Sequence, residues 1–465
     1  MSAKYHTGGN INAELDPDHY INTSSSHSTE NSGEKQDSQA TKTDRGLVQH
    51  QRDIPQKRKI MMKRIVTTSF VLLGLSIAHG YADVLSDRAP KPRAELPPQA
   101  VLIEPSSFAV LPDNFSFRTD SSNQHFNPTN ATPPIFQVFN EAFLDILGSN
   151  ASIAEIASNA TFAFAHEAPV YVPETDEVFF ASNDGGPLGN SNLNRNNMVF
   201  KLSLADAEKA LQGSGGKAVN VPITHVPLDD SVQMTNGGTG LFRGNIVLAN
   251  SGRGPRPPNV VLVNPQAPNN VTVLLNNYYG RQFNSLNDVK VLPGTDILFF
   301  TDVQYGFVNR FRDAPLMENH VYRLDPDTGA VRVVATDFDK PNGLAFTADG
   351  RTVYVTDTGT AGGSATEPAT IYAFDVDPTT HAFTNRRILA YVDAGIADGV
   401  QVDTEGNVYG ACADGIHVFA PDGTLLGKIF TNVLGANLVF APPNRVVILA
   451  ETKIFLAKIA AKGVV

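Results

Sequence analysis

The chain has 465 residues, 42% hydrophobic and 18% charged. That is enough to bury a large core and too apolar for a wholly disordered protein. Lys plus Arg number 36 against 47 Asp plus Glu, a net charge of −11. The first 64 residues hold 10 basic and 8 acidic side chains and residues 65–82 hold neither, so the remainder carries 26 against 39, or −13. A body this acidic argues against non-specific binding to nucleic acid or an anionic membrane, which needs a basic face. The single cysteine, Cys412, precludes an internal disulfide and a Cys-rich zinc site.

Residues 1–60 are rich in Ser, Thr, Asn, Gln and charge without apolar periodicity, and read as a disordered extension or an upstream extension of the gene. Residues 61–82, MMKRIVTTSFVLLGLSIAHGYA, have the layout of a secretory signal. Lys63 and Arg64 precede an apolar run, and small residues stand before a cleavage point after Ala82. The alternative is a signal anchor through residues 65–82, although the run is short of the roughly 20 residues a span needs. Five sequons follow, at Asn114, Asn130, Asn150, Asn159 and Asn270, as expected of a secreted glycoprotein with no stable membrane association after cleavage. Residues 83–134 are Pro-rich and read as an irregular lead-in. FQVFNEAFLDIL, 136–147, has helical spacing closed by Gly148 and predicts a short cover helix.

From about residue 160 short strands and tight turns take over, as in VYVPETDEVFFASND, VKVLPGTDILFFTDV, LAFTADGRTVYVTDTG and VQVDTEGNVYGACADG. A repeat underlies them. Asn287-Asp-Val, Asn342-Gly-Leu and Asp398-Gly-Val each open a hairpin unit, 55 and 56 residues apart. Glu167, Asn236 and Asn437 hold similar places in three further units. Six four-stranded units over residues 135–465 predict an all-β, six-bladed β-propeller with a central channel.

In a propeller, the residue that opens each innermost strand faces the channel. Glu167, Asn287, Asn342 and Asp398 therefore converge, and two carboxylates with two amide carbonyls suit one hard divalent cation, Ca2+ first, with Mn2+, Mg2+ or Zn2+ as alternatives. The competing reading is that Asn-Gly and Asp-Gly are ordinary turn dipeptides. Against it stand the common register in consecutive units and the placement of Glu167 in the apolar run FAFAHEAPVYV. His166 is a candidate proton relay, set against a structural hydrogen-bonded histidine. His320, His417 and Cys412 read as structural. No Gly-x-Ser-x-Gly elbow is present, which argues against a serine hydrolase.

The segments HEAPVYVPETDEVFFASN, SLNDVKVLPGTDILFFTD, KPNGLAFTADGRTVYVTDTG and ADGVQVDTEGNVYGACADG resemble the gluconolactonase/regucalcin-like family, and in particular its fungal secreted lactonohydrolase branch. FQVFNEAFLDILGSN, Tyr305-Gly-Phe and NHVYRLDPDTGAVRVVATDF share that likeness. The resemblance implies a channel metal held by Glu167, Asn342 and Asp398, with Asn287 at the metal, water or substrate. It also implies Asp398 as general base and a small lactone as substrate. The family's substrate-binding arginine has no motif match among Arg195, Arg243 and Arg281. The rival readings are a paraoxonase-like arylesterase or phosphotriesterase, and a non-catalytic calcium-stabilised binding propeller.

Overall fold

The computed structural model describes residues 95–362 and 364–464. The extension 1–60, the signal 61–82 and the first part of the lead-in lie outside the described residues. Six sheets, antiparallel apart from one added parallel strand, are arranged in a ring. Blade 1 comprises Glu167–Val172, Glu177–Ala181, Val199–Ser203 and Thr224–Val226. Blade 2 runs from Thr235–Phe242 to Val271–Leu275, blade 3 from Leu286–Val291 to Ala330–Ala335, and blade 4 from Pro341–Phe346 to Phe383–Tyr391. Blade 5 starts at Val400–Val402, and blade 6 at Asn437–Ala441. The innermost strands touch in this order, and that of blade 6 touches that of blade 1. The expected six-bladed propeller is present.

Each sheet is covered on both faces, so its strands read as near-continuous apolar runs such as RVVILA rather than as alternation. The core is six clusters, one in each interface between neighbouring blades. The ring is closed by Ser152–Ser158, which pairs antiparallel with Lys453–Lys458 as the outer strand of blade 6. At the seam between blades 6 and 1, the Arg445 guanidinium donates to both Asp176 carboxylate oxygens, at 2.6 and 3.0 Å, and to the Tyr171 hydroxyl at 3.1 Å.

Three local expectations are corrected. The predicted cover helix is only Phe143–Leu147, because Ile135–Val138 is a strand paired with Leu425–Phe430 of blade 5. All four of its residues are buried, so the apolar spacing there served a fully covered strand rather than a helix face. Within the lead-in, Ala100–Leu102 forms a sixth strand on blade 5, parallel to Ile135–Val138. Finally, blade 1 contains the helix Leu204–Ser214, which the strand pattern concealed. Its signals were present: the Ser203 hydroxyl accepts from the Asp206 N–H at 3.2 Å, and Gly215 ends it in the left-handed region.

Candidate functional site

The candidate ligands of blades 1, 3 and 4, Glu167, Asn287 and Asn342, are aimed by backbone irregularity. The innermost strands of blades 1 to 4 shift register at their first residues, between Glu167 and Val170, Thr235 and Gly237, Leu286 and Val289, and Pro341 and Leu344. Such bulges re-aim a side chain out of the pleat. In blade 1 the bulge sets buried Ala168 at φ +52°, strain that the packed channel wall must hold.

The Asn-Gly and Asp-Gly dipeptides at the channel positions are not turns. Gly237, Gly343 and Gly399 are not among the residues at positive φ. A Cβ on Gly343 would lie 2.6 Å from the Asp398 carbonyl oxygen, one on Gly237 would meet the Asn287 carbonyl, and one on Gly399 would meet the Asn437 side chain. Glycine is required here because the innermost strands of successive blades approach each other closely. Hydroxyls then pin the next blade: Thr301 donates to the Asn342 carbonyl at 2.8 Å, Thr356 to the Asp398 carbonyl at 2.9 Å, and Ser251 to the Leu286 carbonyl at 2.8 Å.

Glu167, Asn287, Asn342 and Asp398 are all buried. One ligand atom from each of His166, Glu167 and Asp398 falls within 4.8 Å of the others. The Asn437 amide donates to Glu167 Oε2 at 2.8 Å, leaving Oε1 turned toward His166 Nε2, 3.8 Å away. Burial and the facing Asp398 carboxylate push the Glu167 carboxyl well above the usual range. Burial likewise raises Asp398, to about 6, against the opposing charge of His166 and a hydrogen bond from Asn342. Two carboxylates forced together out of water are relieved by a shared proton or by a cation between them. The Asn287 Oδ1 oxygen is buried without a hydrogen-bond partner. A hard divalent cation therefore fits this donor set of carboxylate and amide oxygens.

His166 is more than a lone histidine against a strand. Its Nδ1 lies 2.8 Å from Glu451 Oε1, and the Asn183 amide holds the same carboxylate at 3.1 Å. The carboxylate can only accept, so Nδ1 carries hydrogen and Nε2 faces the cluster. Burial alone would lower the imidazole pKa, but Glu451, with Glu167 and Asp398, overcomes it and holds it well above the usual value.

Three participants had no assigned role in the sequence reading. Glu451 stands at the turn between two strands of blade 6, at φ +60°. Tyr305 opens the short helix Tyr305–Val308, and its hydroxyl is hydrogen-bonded to Thr358; burial raises its pKa above the ordinary 10. Asp184 is buried beside Asn236, and burial raises it to about 6. None had a repeat to mark it, since all three sit outside the innermost strands.

The arginines do not enter the site. Arg243 is tied to Asp296 and Asp327 at 2.7 Å each, while Arg195 and Arg281 are exposed. His417 is structural as expected, bound to Asp414 at 2.6 Å in a buried group with Lys428. The Cys412 thiol is buried. A cavity of about 380 Å³ lies further along the channel, lined by Pro169, Tyr171, Leu292, Phe346 and Val439. It is mostly apolar, and none of the four ligand candidates lines it.

A closed six-bladed ring whose channel gathers acidic and amide oxygens from successive innermost strands defines a β-propeller with a candidate cation site. The sequence matches the family described as SMP-30/Gluconolactonase/LRE-like region over residues 167–444, and the chain belongs to that family. Lactonohydrolase oryL of Aspergillus oryzae is 31% identical over 300 residues, which are 60% of this chain and 64% of that protein. A gluconolactonase of Zymomonas mobilis is 33% identical over 169 residues, 35% of this chain and 46% of that one. The alignments thus span less than two thirds of either relative. The solved gluconolactonase of Xanthomonas campestris superposes with a TM-score of 0.54 at 25% identity, covering 70% of this chain and 94% of its own. A further solved structure, at TM-score 0.56 and 23% identity over 71% of this chain and 99% of its own, shares the fold.

Proposed function

We propose that the protein hydrolyses a lactone, opening the C–O ester bond of a five- or six-membered sugar-acid or hydroxy-acid ring. The observation that carries this reading is the Glu167–Asp398 pair, buried together beside His166 and the unpartnered Asn287 oxygen. The relatives named lactonohydrolase and gluconolactonase support the substrate class. Glu167, Asn287, Asn342 and Asp398 would hold one divalent cation, Ca2+ by the hardness of the oxygens. The cation supplies positive charge that polarises the lactone carbonyl and acidifies water nearby.

The residues of the chain do the rest. Asp398 is the general base: an oxygen not engaged by Asn342 takes a proton from the attacking water, whose oxygen bonds to the carbonyl carbon. When the ring C–O bond breaks, the departing alkoxide recovers a proton, from Asp398 or from His166 Nε2. Glu451 fixes the His166 ring for that task through Nδ1. Tyr305, kept protonated by burial, is hydrogen-bonded to Thr358 beside Asn342.

Secretion belongs to the same proposal. All five sequon asparagines, Asn114, Asn130, Asn150, Asn159 and Asn270, are exposed and open to glycosylation. No helix among the described residues is long and apolar enough to cross a membrane.

The test is pH-stat titration of the purified protein on a panel of lactones, an aryl ester and a phosphotriester, before and after EDTA. Lactone opening that EDTA abolishes and added Ca2+ restores is expected. Turnover of the aryl ester or phosphotriester alone would move the reading to the paraoxonase-like alternative. A metal-loaded protein that turns over none of them would leave a binding propeller.

A further inference from the structure

Next to Glu167 in the ring, the innermost strand of blade 2 carries a buried polar group that the cation reading does not use. Asn236 opens the innermost strand of blade 2 in the register of the cation-holding residues, and it is 4% exposed. Its Nδ2 donates to Asp184 Oδ2 at 3.0 Å, while its Oδ1 has no partner. The amide cannot turn over without setting Oδ1 against the Asp184 carboxylate, so the free group is an acceptor. Asp184 has little choice of donor. The Ser251 hydroxyl reaches it at 3.3 Å but lies nearer the Leu286 carbonyl, at 2.8 Å, and its one hydrogen serves the shorter contact. Asp184 also lies close enough for its charge to act on His166 and Asp398. Gly237 packs against the Asn287 carbonyl, which places Asn236 beside Asn287.

A buried, unpartnered acceptor costs stability unless something donates to it. One free oxygen is far short of the six to eight that calcium takes, roughly, so a second cation does not answer the need. A single O–H does. We infer that Asn236, oriented by Asp184, accepts a hydrogen bond from a hydroxyl carried on the lactone ring near its carbonyl, and so selects hydroxylated lactones over unsubstituted ones. This rests on the lactonase reading and adds to it a specificity-determining pair outside the cation-holding set.

The experiment compares α-hydroxy-γ-butyrolactone with γ-butyrolactone in the Ca2+-loaded wild type, Asn236→Leu and Asp184→Asn. Leu has the branching of Asn but offers no acceptor; Asn236→Ala, which opens space and also offers none, guards against a clash. The readout is the ratio of kcat/KM for the two lactones. The wild type should favour the hydroxylated ring, and Asn236→Leu and Asn236→Ala should lower the ratio about 10- to 100-fold, the range for one buried hydrogen bond left unmade. Asp184→Asn, which loses the anchoring charge, should lower it less. Turnover of either lactone bears on the lactonase reading, and the ratio bears on this one. Calorimetric binding of 3-hydroxy-2-pyrrolidinone and 2-pyrrolidinone, the matching lactams, reads the same preference without turnover. Equal binding of the two lactams by the wild type, or a preference surviving in folded Asn236→Leu, overturns the inference.

Discussion

Replacing Gly343 by alanine separates a turn dipeptide from a close inter-blade approach. At a turn without positive φ, Gly→Ala is neutral or stabilises by about 0.4–1 kcal/mol, because the unfolded chain loses freedom. Here the new Cβ would sit 2.6 Å from the Asp398 carbonyl oxygen and 2.9 Å from the Val400 nitrogen, both backbone atoms that cannot swing aside. To restore even a 3.0 Å contact, the innermost strands of blades 4 and 5 must part by about 0.4 Å. Overpacking of this kind costs about 1–3 kcal/mol. The same movement stretches the 2.9 Å bond from Thr356 to the Asp398 carbonyl, which is worth about 1 kcal/mol. After the unfolded-state gain, a net loss of about 1–3 kcal/mol remains. Gly240→Ala is the control, since a Cβ there meets nothing within 4 Å and Gly240 is not at positive φ. Urea unfolding of both variants should show a lowered midpoint for Gly343→Ala only, at unchanged m. Cation affinity should fall with it, because Asn342 and Asp398 move. A Gly343→Ala protein as stable as Gly240→Ala would refute the packing argument.

Glu167→Gln and Asp398→Asn should each lower Ca2+ affinity by about 10-fold or more in calorimetry, since each removes a formal charge from the oxygen set. If both bind Ca2+ like the wild type, the site is misassigned. With its cation loaded, Asp398→Asn should lose about 10²–10⁴ in kcat; an occupied variant that keeps its rate makes Asp398 a ligand alone. Lys428→Met should lower thermal stability strongly, because Asp393 and buried Asp414 lose a shared cation at 2.7 and 3.0 Å, and breaking a buried pair costs about 3–5 kcal/mol. The Asp414 carboxyl would be raised by burial, but His417 and Lys428 hold it well below the usual range. Its contribution is therefore present above the unfolded value of about 3.9 and lost as pH falls toward the folded one. Melting curves between pH 7 and pH 2 should show this loss in the wild type and a shallower one in Lys428→Met.

The legibility of the sequence followed the repeat. Asn287, Asn342 and Asp398 recur at 55 and 56 residues, so their place in the channel could be read without coordinates. What could not be read lay off the repeat. Glu451 reaches His166 across the chain from 285 residues away, where nothing local marks a partner. Tyr305 comes to the cluster on a four-residue helix too short for any periodic signal. Asn236 was in register, yet register alone cannot tell which amide oxygen ends up unpartnered. Ile135–Val138 was misread because a strand buried on both faces and one turn of an amphipathic helix look alike over four residues.

The ring also has a polarity that the repeat does not dictate. Its six channel positions are Glu167, Asn236, Asn287, Asn342, Asp398 and Asn437 in blade order. The two acids fall in blades 1 and 5, and Asn437 between them donates to Glu167 while its own Oδ1 accepts the Leu438 N–H. That amide is spent on holding a carboxylate. Buried amide oxygens without a partner remain on Asn236 and Asn287, in the adjacent blades 2 and 3. The two acids in ring register thus lie on the side of blades 5, 6 and 1, where the proposed cation would sit off the axis. The wall of blades 2 and 3 keeps two amide acceptors free, one of them held by Asp184. A pore with six equivalent ligands would centre a cation and close over it. In the proposed reaction this arrangement would leave one face of the cation position toward groups that can orient a substrate, which hydrolysis requires and mere stabilisation of a fold does not.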